Sequence, residues 1–228
     1  MKKKRGLFIV LDGTDGSGKA TQTKLLVKRL VKKGYKVKEL DFPQYGEKSA
    51  ALVEEYLNGE YGTAEEVGPY RASIFYACDR YAAGARIKKW LDEGKIVISN
   101  RYVTANMGHQ GGKLKKSSER KKYFQWLYNL EYKMFEIPKP DINLILHVEA
   151  SVAQKLALQK RKQSYLKNNR ADIHERDLKH LKDAEKVYIE IAHTIPHISL
   201  IECMKNGNLM SREDVSGLVW NKISRLLR

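Results

Sequence analysis

A short apolar run that ends in a glycine-rich turn and a lysine constrains the fold of this chain more than any other segment. Residues 7–11 have the composition of a buried strand, the turn reads Asp-Gly-Thr-Asp-Gly-Ser-Gly-Lys over residues 12–19, and residues 21–33 show the apolar spacing of a helix. Glycines allow the backbone to fold tightly, so its N–H groups converge on phosphate oxygens, and the start of the helix adds a partial positive charge. The segment therefore predicts a phosphate-binding loop in which Lys19 supplies a mobile positive charge for the outer phosphates.

The loop matches the pattern G-x-x-x-x-G-K-[ST] at Gly13, Gly18 and Lys19 but departs from it at Ala20. The hydroxyl that is usual at that position holds Mg²⁺, and Thr21 comes one place too late to replace it simply. Mg²⁺ can still ride on a nucleotide with mainly water ligands, and Asp12 is the nearest alternative carboxylate. The residue that holds the metal is left open. The residues expected to bind the nucleotide phosphates are Gly13, Thr14, Gly16, Ser17, Gly18, Lys19, Ala20 and Thr21.

Strand-like and helix-like segments alternate along the whole chain. This alternation predicts an α/β protein with a parallel sheet covered by helices on both faces, which is the three-layer P-loop fold. The 228 residues contain no repeat and no linker, so residues 1–228 are expected to form a single domain. The five expected strands are residues 7–11, 36–42, 96–99, 142–148 and 198–202. The expected helices are residues 21–33, 49–57, 69–93, 117–135, 152–166, 176–192 and 211–227.

The amino-acid composition limits the kinds of molecule that this protein is expected to bind. The formal net charge of +16 favours attraction of polyanions, either nucleotides or nucleic acid. The cations are scattered over several elements without a nucleic-acid-binding motif, so no specific nucleic-acid partner is expected. No segment approaches the about 20 apolar residues of a membrane span. The two cysteines show no metal or redox spacing, and a cytoplasmic protein is the expectation.

Three further segments combine with the phosphate-binding loop. They are Asp41-Phe42-Pro43 after the second strand, Tyr76-Ala77-Cys78-Asp79-Arg80 within a helix, and residues 100–110 after the third strand. The set and its order, from about residue 7 to about residue 190, resemble the thymidylate kinases, P-loop enzymes that phosphorylate dTMP with ATP. The resemblance implies phosphorylation of dTMP to dTDP with ATP as donor and Mg²⁺ as cofactor. It also implies a homodimer formed through helices such as 50–57 and 70–90.

The resemblance assigns roles to individual residues. In the family an aromatic residue stacks on the base and an arginine four places later binds it, and the spacing of Tyr76 and Arg80 puts both on one helix face. The aspartate at Asp15 contacts the sugar 3′-hydroxyl or its surroundings, and the arginine at Arg101 binds the acceptor phosphate. His109 replaces a common tyrosine, so it either lines the sugar pocket or serves a structural role. The implied substrate-binding set is Asp15, Phe42, Pro43, Tyr76, Arg80, Arg101, His109 and Gln110, and the implied catalytic set includes Lys19, Asp15 and Arg101.

A basic stretch at residues 161–175 resembles the family lid, although a solvated loop is the usual reading of such a run. Gly16 stands where some relatives carry a catalytic arginine, and relatives that lack it supply one from the lid. Arg161 or Arg170 is therefore expected to stabilise the transition state, an effect of ~10³–10⁵ in analogous systems. Asp172 and Glu175 would orient these arginines or cap the next helix.

Departures from the family pattern keep other functions open. Asn100 replaces an aspartate, and Tyr45 stands where many relatives have an arginine, with Lys48 as its possible substitute. A deoxynucleoside kinase would need a carboxylate such as Asp12 to take up the hydroxyl proton. A monophosphate kinase for another base is the nearest variant. A nucleotide-binding regulator without catalysis and a basic nucleic-acid-binding protein rank last.

Overall fold

A five-stranded parallel sheet forms the centre of the computed structural model, which describes residues 5–163 and 178–227, the side chains of residues 160–163 excepted. The strands lie in the order β2-β3-β1-β4-β5, so the strand that leads into the phosphate-binding loop is the middle one. All five residues of β1 are buried, because it is flanked by strands on both sides and by helices above and below. The sheet confirms the predicted α/β fold. The strands are β1 (Phe8–Asp12), β2 (Val37–Asp41), β3 (Ile96–Asn100), β4 (Ile142–His147) and β5 (Ile198–Glu202).

Helices cover both faces of this sheet. The long ones are close to the bounds that the sequence predicts, and a short antiparallel hairpin follows β5. In order, the helices are α1 (Lys19–Lys32), α2 (Ala51–Leu57), α3 (Ala64–Asp92), α4 (Val103–His109), α5 (Ser117–Asn129), α6 (Ala150–Gln163), α7 (Leu178–Thr194) and α8 (Arg212–Ile223). The hairpin strands are β6 (Met204–Lys205) and β7 (Asn208–Leu209), 3₁₀ turns lie at Lys48–Ala50 and Gly111–Lys113, and a π-helical turn spans Leu130–Met134.

The two faces of the sheet bury two separate apolar clusters. Alternate residues of β1 point to opposite faces, so Phe8 and Val10 enter one cluster while Ile9 and Leu11 enter the other. The first cluster packs against α3, α4, α5 and α7, and the second against α1 and α8. The resulting three layers hold the carboxyl ends of β1, β2 and β3 at one edge, where ligands of such sheets bind.

Helix α3 differs from its prediction at its beginning. Residues 69–93 were expected, but the helix starts at Ala64, where Thr63 and Glu66 cap each other's backbone N–H groups in a capping box. Gly68 then interrupts the helix with a φ of 71° directly before Pro69. This break explains why a proline lies inside α3: a new helical segment begins at Pro69, where a proline is well tolerated.

The sequence did not predict α4, which directly follows β3. All seven residues of α4 are buried, so the segment carries no polar face and no amphipathic period. Its Gly108 faces the ring of Tyr188 on α7, and a Cβ atom there would lie 2.4 Å from that ring. Helices α4 and α7 therefore pack very closely against each other at this point.

The predicted lid, residues 161–175, lies outside the described residues apart from the backbone of α6 up to Gln163. In the part of the chain that is described, no helix combines the length and the apolar composition that crossing a membrane requires.

Candidate active site

The phosphate-binding loop connects β1 to α1 and is held closely against its neighbours. Gly13, Gly16 and Gly18 all have positive φ values, of 139°, 86° and 87°. A Cβ atom at Gly16 would lie 1.9 Å from the carbonyl oxygen of Ala153 on α6, so a larger residue would displace the backbone there. The predicted turn between the strand and the helix is thus present as a tight loop between β1 and α1.

Lys19 lies inside this loop. Its Nζ donates hydrogen bonds to the carbonyl oxygens of Gly13 at 3.0 Å and Thr14 at 2.8 Å, and it lies 3.9 Å from a carboxylate oxygen of Asp15. Burial, together with the nearby Arg101, lowers the pKa of Lys19 to about 8, although Asp15 and Asp12 act in the opposite direction. The ammonium therefore stays mainly protonated at neutral pH.

Asp15 joins the loop to the residues that follow β3. Its carboxylate forms an ion pair with the guanidinium of Arg101, a residue held at a φ of 65°. Burial alone would raise the pKa of Asp15, but Arg101 and Lys19 hold the pKa of that carboxyl well below its usual range. Three of the predicted catalytic residues, Lys19, Asp15 and Arg101, are thus in one cluster.

Asp12 is buried and already engaged by hydrogen-bond donors. Its Oδ1 accepts the backbone N–H of Gly13 and the hydroxyl of Tyr188, both at 2.8 Å, and its Oδ2 accepts the hydroxyl of Thr104 at 2.7 Å. This geometry suits a residue that orients the loop. No cluster of three or more His, Cys, Asp or Glu side chains arranged to hold a metal ion occurs in residues 5–163 or 178–227. The described residues therefore do not build a protein-only magnesium site.

A cleft lies next to Asp15, at the carboxyl edge of the sheet. It brings together all eight residues of the predicted substrate-binding set, which come from four separate segments of the chain. Five further lining residues were not predicted. The lining residues are Asp15, Phe42, Pro43, Tyr45, Leu57, Tyr76, Arg80, Arg101, Tyr102, Ala105, Asn106, His109 and Gln110.

Arg80 has a partner in the protein that the sequence did not predict. Its guanidinium donates from Nε to both carboxylate oxygens of Glu131, at 3.0 and 3.1 Å, and also pairs through Nη2. Its Nη1 makes a longer bond of 3.4 Å to the carbonyl oxygen of Tyr102. Arg80 is 1% exposed and Glu131 is fully buried. Arg80 lines the cleft, whereas Glu131 does not, and Glu131 neutralises the charge of Arg80 from within the protein.

Several buried polar atoms around the cleft have no hydrogen-bond partner among the described residues. They are Asn106 Nδ2, His109 Nε2 and Gln110 Oε1 in the cleft wall, with Thr14 Oγ1 and Ser17 Oγ in the phosphate-binding loop. Burying such an atom without a partner costs free energy. Their grouping at the two predicted nucleotide sites is consistent with ligand groups that satisfy them.

Some of the site residues that were not predicted could have been recognised from the sequence, and others could not. Ala105 and Asn106 lie inside the segment 100–110, which the sequence did single out. Tyr45 stood out only because many relatives have an arginine at its position. Glu131 had no local signal, because its role depends on Arg80, which is 51 residues away. The lid arginines cannot be placed, since Arg170 and the side chain of Arg161 lie outside the described residues.

Comparisons with known proteins agree with this geometry. The model of the thymidylate kinase family matches residues 11–212. The chain is 30% identical over 188 residues to a thymidylate kinase of Mycobacterium tuberculosis, covering 82% of this chain and 86% of that protein. It is 27% identical over 155 residues to the human thymidylate kinase, covering 68% and 67%. A solved structure of thymidylate kinase from Candida albicans superposes with a TM-score of 0.74 at 21% identity, over 97% of this chain and 92% of that one, which supports the fold.

Proposed function

The chain belongs to the thymidylate kinase family, and we propose that it transfers the γ-phosphoryl group of ATP to dTMP, giving dTDP and ADP. The observation that carries the proposal is the position of Asp15. It is paired with Arg101 in the acceptor cleft and lies 3.9 Å from Lys19 in the phosphate-binding loop. A donor phosphate in the loop and an acceptor phosphate on Arg101 would therefore be neighbours, as direct transfer requires.

The loop residues would hold the donor. The backbone N–H groups around Gly16 and Gly18 and the partial charge at the start of α1 favour the phosphates of ATP. Lys19 would exchange its bonds to the carbonyl oxygens of Gly13 and Thr14 for phosphate oxygens. Asp12 would act indirectly, because it fixes the loop through the N–H of Gly13.

The cleft would hold the acceptor with its phosphate towards Arg101 and its base between Tyr76 and Arg80. Arg80 is already neutralised by Glu131, so its remaining N–H groups suit a carbonyl oxygen of the base better than a second anion. Asn106 Nδ2 and Gln110 Oε1 add a donor and an acceptor at the same wall. Such complementary groups discriminate between bases.

The acceptor phosphate is already anionic, so transfer needs positioning and charge neutralisation rather than a general base. Lys19 and Arg101 are the cations available in the described part of the site. From the sequence we further propose that Arg161 or Arg170, in the basic stretch at residues 161–175, adds a third cation. Mg²⁺ would travel with ATP, bound through phosphates and water, because the residues that the structure describes around the loop form no carboxylate cluster for it.

The assembly and location of the protein are part of the proposal. We treat residues 1–228 as one kinase domain. The exposed side chains of Tyr70, Ile74 and Tyr81 follow one face of α3, and a second copy of this chain is the partner we propose for them, as the family resemblance implies. Both cysteines, Cys78 and Cys203, are free thiols, which supports a cytoplasmic location.

Product analysis tests the proposed reaction. The protein is incubated with Mg·ATP and either dTMP or thymidine, and the products are identified by ³¹P NMR. We expect dTDP and ADP from dTMP and no phosphorylated product from thymidine, because the hydroxyl of thymidine brings no anion to Arg101. Formation of dTMP from thymidine, without dTDP from dTMP, would replace the proposal with a deoxynucleoside kinase.

A further inference from the structure

Two buried histidines contact each other at the wall of the acceptor cleft. The Nδ1 atom of His109, on α4, lies 3.2 Å from the Nε2 atom of His180, on α7, and their rings stack at an angle of 20°. Their exposed fractions are 8% and 9%. The ring of Tyr188, also on α7, meets His109 edge-on with ring centroids 5.7 Å apart. His109 is therefore fixed between α4 and α7.

The contact between the two imidazoles determines where His109 carries its proton. Burial, with Arg101 close by, keeps the pKa of His109 well below its usual value, so its ring is neutral at physiological pH. In a hydrogen bond between two imidazoles one nitrogen donates and the other accepts. The hydrogen at His109 Nδ1 is thus set by His180, and the opposite nitrogen, Nε2, takes the complementary state.

The other ring nitrogen of His109, Nε2, has no hydrogen-bond partner among the described residues. The atom is buried, and His109 lines the cleft. His109 lines the same cleft as Asp15 and Arg101, and Arg101 is close enough to lower the pKa of the His109 ring. The unpartnered nitrogen is therefore near the end of the cleft proposed for the sugar and phosphate of the acceptor.

We propose that His180 is a positioning residue that orients His109 so that its Nε2 atom binds the sugar hydroxyl of the acceptor. The inference rests on the proposed function, because dTMP has one sugar hydroxyl, the 3′-hydroxyl, and that group is then the ligand. A hydroxyl both donates and accepts, so it satisfies Nε2 in either tautomer. A base carbonyl or phosphate oxygen would fit only one tautomer.

The test compares dTMP with 2′,3′-dideoxythymidine monophosphate, which lacks the 3′-hydroxyl. The ratio of kcat/KM for the two acceptors measures the contribution of the hydroxyl. In His180→Leu the ratio should fall about three- to tenfold, the value of one neutral hydrogen bond, while kcat/KM for the dideoxy acceptor changes little. A purely structural role for His180 would lower the activity on both acceptors equally.

Two matched variants keep the test decisive if His180→Leu does not fold. His180→Gln retains a hydrogen-bonding group near the position of Nε2 and should restore most of the ratio. His109→Asn retains a group near Nδ1, facing His180, but removes Nε2, and should lower the ratio as far as His180→Leu does.

The outcomes separate this inference from the proposed function. Activity of the wild-type protein on dTMP with an unchanged ratio in His180→Leu and His109→Asn would overturn the role of the histidine pair alone. Absence of dTMP phosphorylation by the wild-type protein would overturn both.

Discussion

Asp15 is the residue where the donor and acceptor parts of the proposed site would meet, and Arg101 is its partner on the proposed acceptor side. A guanidinium can bind one carboxylate and one phosphate with separate pairs of N–H groups, whereas an ammonium is a single point charge. Lys19 and Arg101 both lie beside the single carboxylate of Asp15, so these three side chains together carry a net positive charge that can receive phosphate groups. The chemistry of the site therefore depends on the type of cation at position 101 as well as on its charge.

Arg101→Lys tests this dependence. We expect kcat/KM for dTMP to fall by roughly 100-fold, the size of effect that follows loss of a well-placed charged donor, with little change in the KM for ATP. Steady-state kinetics with each substrate varied in turn measure both. Arg29→Lys, at an arginine stacked on Trp220 away from the cleft, is the matched control. Equal losses in the two variants would contradict the assignment of Arg101.

His147 gives the fold a dependence on pH. It lies between Glu202 and Glu185, at 2.7 and 2.9 Å. Burial alone would lower the pKa of His147, but the two carboxylates outweigh it and raise the pKa above its usual value. The folded state therefore binds the proton more tightly than the unfolded state. This contribution is complete below the unfolded pKa and is lost as the pH rises through the folded pKa.

His147→Asn should accordingly destabilise the protein more at pH 6 than at pH 9. The cost at pH 6 is expected to be about 1 kcal/mol, typical for a partly buried pair. Urea unfolding of both proteins at the two pH values measures the difference. A larger cost at pH 9 would show that folding lowers the pKa of His147 and does not raise it.

The sequence predicted residues that line one cleft, but it did not predict the partners that hold them in place. All eight residues of the predicted set come together, because they follow strands and helices whose order is readable from hydrophobic periodicity. Glu131 and His180 were missed, since they bind Arg80 and His109 across 51 and 71 residues of chain. Partners at such separations depend on tertiary packing, which no local pattern encodes.

The π-helical turn Leu130–Met134 is the element that brings Glu131 to Arg80. The expected helix over residues 117–135 loses its α-helical form after Asn129, and the wider turn contains the buried Glu131. An ordinary α-helix would place this side chain at a different angle. The turn thus fixes Arg80 at the end of the cleft where we propose that the base binds.

Glu131→Gln removes the negative charge of the buried pair while keeping the shape of the side chain. Breaking such a pair leaves the charge of Arg80 uncompensated, so we expect the free energy of unfolding to fall by roughly 3 kcal/mol and the KM for dTMP to rise. Denaturant unfolding and steady-state kinetics measure these changes. Glu119→Gln, at an exposed position of α5, should leave both unchanged. A Glu131→Gln protein with wild-type stability and KM would disprove the role of the pair.

Strands and long helices were predictable because their periodicity is strong, while short or fully buried elements were not. Helix α4 has no polar face, so its pattern does not indicate a helix. The hairpin β6–β7 did carry a signal, the dipeptide Asn206-Gly207 at positive φ values of 51° and 74°, which favours a two-residue turn.

The proposed dimer concerns the whole molecule. Tyr81 is 58% exposed on α3, on the same face as Tyr70 and Ile74. Exposed aromatic side chains aligned on one helix are typical of an interface. A charged residue there would be buried without a partner in the dimer.

Tyr81→Glu should therefore shift the protein from dimer to monomer, raising the dissociation constant at least about 100-fold. Light scattering coupled to size-exclusion chromatography at several concentrations measures the shift. Val31→Glu, at an exposed position of α1, is the control that should remain dimeric. A wild-type protein that is monomeric at tens of micromolar would contradict the proposed dimer.

The most direct measurement is the rate of ADP formation from Mg·ATP with dTMP, dUMP, dCMP, dAMP and dGMP as separate acceptors. The account predicts the highest kcat/KM for dTMP. It also predicts no turnover in Lys19→Ala, the control that excludes a contaminating kinase. A higher kcat/KM for another acceptor, or no ADP formation with any of them, would contradict it.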